Sequence, residues 1–167
     1  AGKIDITVNR LTVEQGGRIS SSTTSDATFM GNVSDAGDIS IIANDGMMGT
    51  DDFIMTSNID FNFFGFNFSI PTGVSSISAN SDMGIGNAGE IIISAGSAKL
   101  GSPTGSAVIQ TRTNEGIGGD ISITVNDVFD ATDLSISSDT IGDGDAGRIG
   151  LIGGAGSNWQ LTDSKVN

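Results

Sequence analysis

The stretch Ala88-Gly89-Glu90-Ile91-Ile92-Ile93 decides the fold, because its pattern recurs. A small residue, a glycine and a charged residue are followed by Ile or Leu at alternate positions. The pattern returns as Ala1-Gly2-Lys3-Ile4-Asp5-Ile6, Ala36-Gly37-Asp38-Ile39-Ser40-Ile41, Gly118-Gly119-Asp120-Ile121-Ser122-Ile123 and Ala146-Gly147-Arg148-Ile149-Gly150-Leu151. Successive copies start 35, 52, 30 and 28 residues apart, so the period is near 30 with a large insertion in the second unit. A phrase repeated at this period marks a solenoid.

Each unit carries two further strand-like runs. A late run reads Ile19-Ser20-Ser21-Ser22, Ile77-Ser78-Ala79-Asn80, Ile109-Gln110-Thr111-Arg112 and Ile136-Ser137-Ser138-Asp139. A weaker middle run reads Leu11-Thr12-Val13, Ala98-Lys99-Leu100 and Asp127-Val128-Phe129. Three short strands per unit suit one coil of a parallel β-helix. Stacking the units in phase predicts three inward columns: Ile4, Ile39, Ile91, Ile121, Ile149; then Ile6, Ile41, Ile93, Ile123, Leu151; then Val8, Ala43, Ala95, Val125, Gly153. A one-residue slip would turn every Ile outward, so the register is strongly specified. The glycine in second place suits a corner that needs positive φ or close backbone approach. An antiparallel sandwich shows similar alternation but rarely repeats one corner phrase five times. The expectation is an all-β chain and a single domain over 1–167. It forms a parallel β-helix of about five coils of roughly 30 residues, with three short strands per coil.

Composition agrees. The 167 residues include 25 Gly and 22 Ile against only 5 Leu, and Glu, Lys and Arg together number 10. β-branched Ile favours strands and scarce helix formers exclude a helical bundle. A hydrophobic share of 37% is too high for a disordered chain. The net charge of −13 repels nucleic acid and anionic membranes. There is no His, Cys or Tyr, which removes a His general base, a Cys nucleophile, a His/Cys zinc site and disulfides. No apolar run approaches the roughly 20 residues that span a bilayer. No signal peptide is visible and residue 1 is Ala, so the chain reads as a processed piece or an excised fragment.

Candidate sites are few. The third place of the phrase makes a column of Lys3, Asp38, Glu90, Asp120 and Arg148. On rungs about 4.8 Å apart, Lys3 is expected to pair with Asp38 and Arg148 with Asp120. A second column, Asp35, Asn87, Ile117, Asp145, precedes it. The stretch 139–145 lacks the spacing and terminal Glu of a calcium loop, so no metal site is assigned. Asp127, Asp130 and Asp133 form a weak acidic group that turn chemistry explains equally well. The outward column Thr7, Ile42, Ser94, Thr124, Ile152 is too mixed for an ice-binding array. No catalytic residue and no cofactor is expected.

The second unit holds the exception. Six of the eight Phe lie between 53 and 68. The run Phe61-Asn62-Phe63-Phe64-Gly65-Phe66-Asn67-Phe68 alternates on both sides of Phe64-Gly65, which predicts two strand segments with a bulge or kink at Gly65. A coil of this size has no room for five extra Phe, so an insertion over about 44–73 should leave the coil. Phe61, Phe63, Phe64, Phe66, Phe68 and Trp159 are the expected interface residues.

The words Gly86-Asn87-Ala88-Gly89-Glu90-Ile91, Asp35-Ala36-Gly37-Asp38-Ile39 and Asp145-Ala146-Gly147-Arg148-Ile149 resemble the β-helix repeats of filamentous-haemagglutinin-like bacterial exoproteins, secreted by the two-partner route, in their cyanobacterial form. Arg10-Leu11-Thr12-Val13 with Gly17-Arg18-Ile19-Ser20 resembles a unit opening of the same family. The likeness covers most of the chain except roughly 44–73. It implies a right-handed β-helix, a secreted or cell-surface location, a role as stalk, adhesin or matrix component, and no catalytic residues. The family's secretion domain carries Asn-Pro motifs, and none occurs here. With no polar cap visible at either end, self-association into a head-to-tail fibre or continuation into further repeats is expected. A cell-surface or glycan receptor is a further partner class. The competing reading is a polysaccharide-active β-helix enzyme or a carbohydrate-binding module.

Overall fold

The computed structural model describes residues 1–24, 35–44, 46–47, 51–56, 58–63, 66–71, 73–82 and 86–167. The first unit supplies β1 (Ile4–Val8), β2 (Leu11–Val13), β3 (Arg18–Ser20) and β4 (Thr23–Thr24). The second supplies β5 (Ile39–Ala43), β6 (Phe53–Met55), β7 (Asn58–Phe63), β8 (Phe66–Pro71), β9 (Ser75–Ser78) and β10 (Ser81–Asp82). Then come β11 (Ile91–Ala95), β12 (Ala98–Leu100) and β13 (Ala107–Thr113), followed by β14 (Ile121–Val125), β15 (Val128–Thr132) and β16 (Leu134–Thr140). The last are β17 (Ile149–Gly153), β18 (Asn158–Thr162) and β19 (Lys165–Val166). Among the described residues there is no helix.

The strands stack into three parallel sheets. The first has the order β1-β5-β11-β14-β17, and the second β2-β6-β12-β15-β18. The third joins β3, β9, β13, β16 and β19, with β4 and β10 continuing it beside the end of β13. The chain is therefore an all-β solenoid of about four turns.

In the first sheet the in-phase stacking is as expected. Ile91 pairs with Ile39 and Ile121, and Ile93 with Ile41 and Ile123. Ile4 meets Ile39 at one end, and Ile121 meets Ile149 at the other. Ile39, Ile41, Ile91, Ile93, Ile109 and Ile123 are fully buried. Their alternation with exposed or half-buried neighbours puts the even-spaced Ile into the coil interior. The late run also keeps its expected phase, with Ile19, Ile77, Ile109, Ile136 and Val166 in one column.

The middle sheet differs. Its core column is Leu11, Phe53, Ala98, Phe129, Trp159. Ala98 stands opposite Phe129, so the strand of the fourth unit begins at Val128 and its phase is shifted by two from the expected Asp127-Val128-Phe129. Phe53 and Met55 are fully buried, so Phe53–Met55 belongs to the coil even though it lies within 44–73. Large and small side chains share this column: Ala98 lies between Phe53 and Phe129, so each ring has room.

The strand count per coil also differs. Two units end in an extra two-residue strand, β4 and β10, whereas β13 and β16 run unbroken for seven residues. The segment past Met55 pairs with itself. β7 and β8 are antiparallel, with Phe61 opposite Phe68 and Phe63 opposite Phe66. The two expected segments are thus the arms of a hairpin rather than one strand with a bulge.

Candidate functional site

The corner between the third and first sheets is built from glycine. A Cβ on Gly37 would collide with the carbonyl of Gly2, one on Gly89 with that of Gly37, one on Gly119 with that of Gly89, and one on Gly147 with that of Gly119. None of these glycines has positive φ. Close backbone approach, not a left-handed turn, therefore fixes glycine in the phrase. Buried hydroxyls line the inner side of this corner. Thr111 Oγ1 donates to Gly119 O at 2.7 Å, Ser138 Oγ to the same oxygen at 3.0 Å, and Ser21 Oγ to Gly2 O at 2.6 Å.

On the outer side of that corner, side-chain oxygens climb the stack. Asp35 Oδ1 accepts the backbone N–H of Asn87 at 2.8 Å, and Asn87 Oδ1 accepts that of Ile117 at 2.9 Å. Asp38 Oδ1 accepts from Glu90 N at 3.0 Å, and Asp120 Oδ1 from Arg148 N at 2.7 Å. The expected ion pairs are replaced by this arrangement. Lys3 Nζ pairs with Asp5 Oδ1 at 3.1 Å, on its own strand, not with Asp38. Arg148 meets Asp120 through its backbone rather than its guanidinium. Among the described residues the side-chain ion pairs are Lys3–Asp5 and Arg112–Asp82.

A carboxylate that no repeat phrase marks, Asp52, is 1% exposed. Its backbone N–H donates to Ser97 O at 3.0 Å and its Oδ2 accepts from Ser97 N at 3.3 Å. It locks the corner between the first two sheets. The other acidic group does not converge. Asp127 Oδ2 accepts from Ser97 Oγ at 3.5 Å. Asp130 stands in register between Lys99 and Gln160. Asp133 takes φ of 54° in a turn, where its carboxylate accepts the Ser106 hydroxyl. The three are spread along one rung, each with its own neighbours.

What the fold leaves open is its end rungs. Among the described residues β1 and β17 each pair on one side only, as do β2 and β18. Ile4, Ile6, Leu11 and Ile19 at one end, and Ile149, Leu151 and Trp159 at the other, are only partly buried against the core. Of the expected interface residues, Trp159 lies in this end layer. Its ring packs on Phe129 with centroids 4.4 Å apart and a 30° tilt, and its Nε1 donates to Ser157 Oγ at 3.1 Å. Phe61, Phe63, Phe66 and Phe68 lie on the hairpin strands β7 and β8, a two-stranded sheet separate from the one that holds Trp159, and Phe64 lies outside the described residues. The sequence therefore grouped residues that belong to two different elements.

Comparison with protein-family models, with curated proteins and with solved structures finds no match for this chain.

Proposed function

We propose that this chain is a stretch of an extracellular structural or adhesive β-solenoid of the filamentous-haemagglutinin-like kind. In this reading it is a right-handed parallel β-helix of about five coils, the hand that strand crossovers in a twisted sheet overwhelmingly take. It is secreted or displayed at a cell surface, and it works by extending or presenting a rod rather than by catalysis. Its end rungs take a further rung of the same kind, from a second copy or from neighbouring repeats.

One observation carries the reading. The Ile columns run in register through the stack and reach both edges without changing character: Ile4 and Ile6 at one edge, Ile149 and Leu151 at the other. Strand edges of this sort template further pairing, and a heterologous contact that does not close gives a filament. Electron microscopy of the purified chain over a range of concentrations tests it. Rods with a repeat set by the coil spacing are expected. Globular monomers at every concentration would remove the self-stacking form of the proposal.

A further inference from the structure

The outer face of the first sheet is nearly uncharged and partly apolar. Two columns of side chains run up its centre, in register from rung to rung. From the second rung onward they read Ser40 and Ile42, Ile92 and Ser94, Ser122 and Thr124, then Gly150 and Ile152. Ile42, Ile92 and Ile152 are 45%, 41% and 51% exposed. Asp5 on the first rung, paired with Lys3, is the only charge in these two columns. The outward positions of the other sheets carry Lys99 and Asp130, or Arg112 and Asp139. Two copies of net charge −13 therefore approach with least repulsion through the first sheet.

The order of large and small residues selects the occupant. Wherever a rung carries an outward Ile, the outward residue two places away is Ser or Gly. A two-fold axis parallel to the stack, centred on this face, reverses the strands and keeps the rungs level. Each residue then meets the one two places away in the other copy: Ile42 meets Ser40, Ile92 meets Ser94, and Ile152 meets Gly150. Every large side chain enters a small one's place, as in a dry zipper between paired sheets. The borders agree. Asp38 and Asn44 flank the second rung, and Asp120 and Asn126 the fourth, all four exposed. The same axis sets each carboxylate opposite an amide. Asn44 Oδ1 already accepts from Gly46 N at 2.8 Å, which leaves its amide hydrogens to donate. An axis along the strands and centred on the third rung would instead set Glu90 on Glu90, Asp38 on Asp120 and Ile92 on Ile92.

We infer that this face binds a second copy of the chain, side by side and parallel, through the zipper of Ile42, Ile92 and Ile152. Over about 20 Å of strand and five rungs about 4.8 Å apart, the two faces bury roughly 1,000 Å² together, the lower limit for a specific interface. The dimer is therefore weak and reversible. It is independent of stacking at the end rungs, which brings neither residue 122 nor residue 124 of two copies together.

The chain has no cysteine of its own, so mixing Ser122→Cys chains with Thr124→Cys chains and adding a short bismaleimide tests the register. Cross-linked dimer in the mixture is expected several-fold above that from either chain alone, or from Ser137→Cys chains with the thiol on the third sheet. Sedimentation equilibrium of the unsubstituted chain should show a concentration-dependent dimer. Ser94→Lys sets a charge against Ile92 of the other copy and should weaken that dimer at least tenfold, whereas Ser137→Lys should not. Ser94 and Ser137 are both half-buried outward positions, so equal melting temperatures are expected. Monomers at every concentration, equal cross-linking in mixed and single populations, or a Ser94→Lys dimer of undiminished strength would overturn the inference. Monomers that pellet with microcrystalline cellulose or chitin would overturn it in favour of a flat glycan surface.

Discussion

Asn87 Oδ1 accepts the backbone N–H of Ile117, 2.9 Å away on the next rung, and Asp35 stands in the same relation to Asn87. The ladder stops at Ile117, whose side chain has no acceptor to offer Asp145 above it. Ile117 is also 59% exposed, so it contributes little to the core. Ile117→Asn is therefore expected to stabilise the chain by about 0.5–1 kcal/mol, the net worth of one such bond. Asn87→Ala should cost a similar amount. Denaturant midpoints of both variants check this; a lower midpoint for Ile117→Asn would show that the ladder carries no free energy.

The glycine corner makes a position-specific prediction. A methyl added at Gly2 would meet nothing within 4 Å, whereas at Gly89 and Gly119 it would strike the carbonyl of the preceding rung. Gly2→Ala should be neutral. Gly89→Ala and Gly119→Ala must push two rungs apart and should each cost about 1–3 kcal/mol or more. Thermal melts of the three variants compare them directly.

How much of this was legible depended on whether a residue's partner lay at a fixed phase. Ile91 announces Ile39 and Ile121 because all three follow the same Gly and charged residue, and close backbone packing forbids the corner from drifting. Phe53 announces nothing, because the connection from β5 to β6 has a length of its own and its column mixes Leu, Phe, Ala and Trp. The corner charges were visible but their partners were not. Asp5 lies two residues from Lys3 on the same face of its strand, and it competes successfully with Asp38, whose Oδ1 already accepts from the Glu90 N–H. The Phe-rich alternation signalled two strands, but alternation alone does not fix whether they pair with each other or with the coil.

Phe53 and the hairpin that follows it should behave oppositely. Phe53 and Phe129 are fully buried on either side of Ala98. Truncating either to Ala should cost about 3–5 kcal/mol. Replacing 58–71 by a short Gly-Ser linker removes strands that, among the described residues, pair only with each other, and should leave the cooperative melt in place. Circular dichroism melts separate the two. Collapse on hairpin removal would mean that the coil depends on it.

End-to-end stacking should be gated by salt. Continuing the internal register across a junction sets Arg148 of one copy beside Lys3 of the next, because Ile149 then meets Ile4 as Ile121 meets Ile149 within the chain. In the third sheet the same continuation sets Lys165 beside Arg18. Two like-charged pairs on rungs about 4.8 Å apart oppose association, each by under about 1 kcal/mol at an exposed site. Together they lower the association constant by roughly tenfold. Raising ionic strength from about 0.01 M to about 1 M shortens the screening length from roughly 30 Å to roughly 3 Å, so filament growth should speed up. Lys3→Glu converts one repulsive pair to an attractive one and should promote growth at low salt. Trp159, the sole tryptophan, lies partly exposed in the end layer and should shift its emission to the blue as Leu11 of the next copy covers it. Growth that is indifferent to salt and to Lys3→Glu would show that the junction does not continue the internal register.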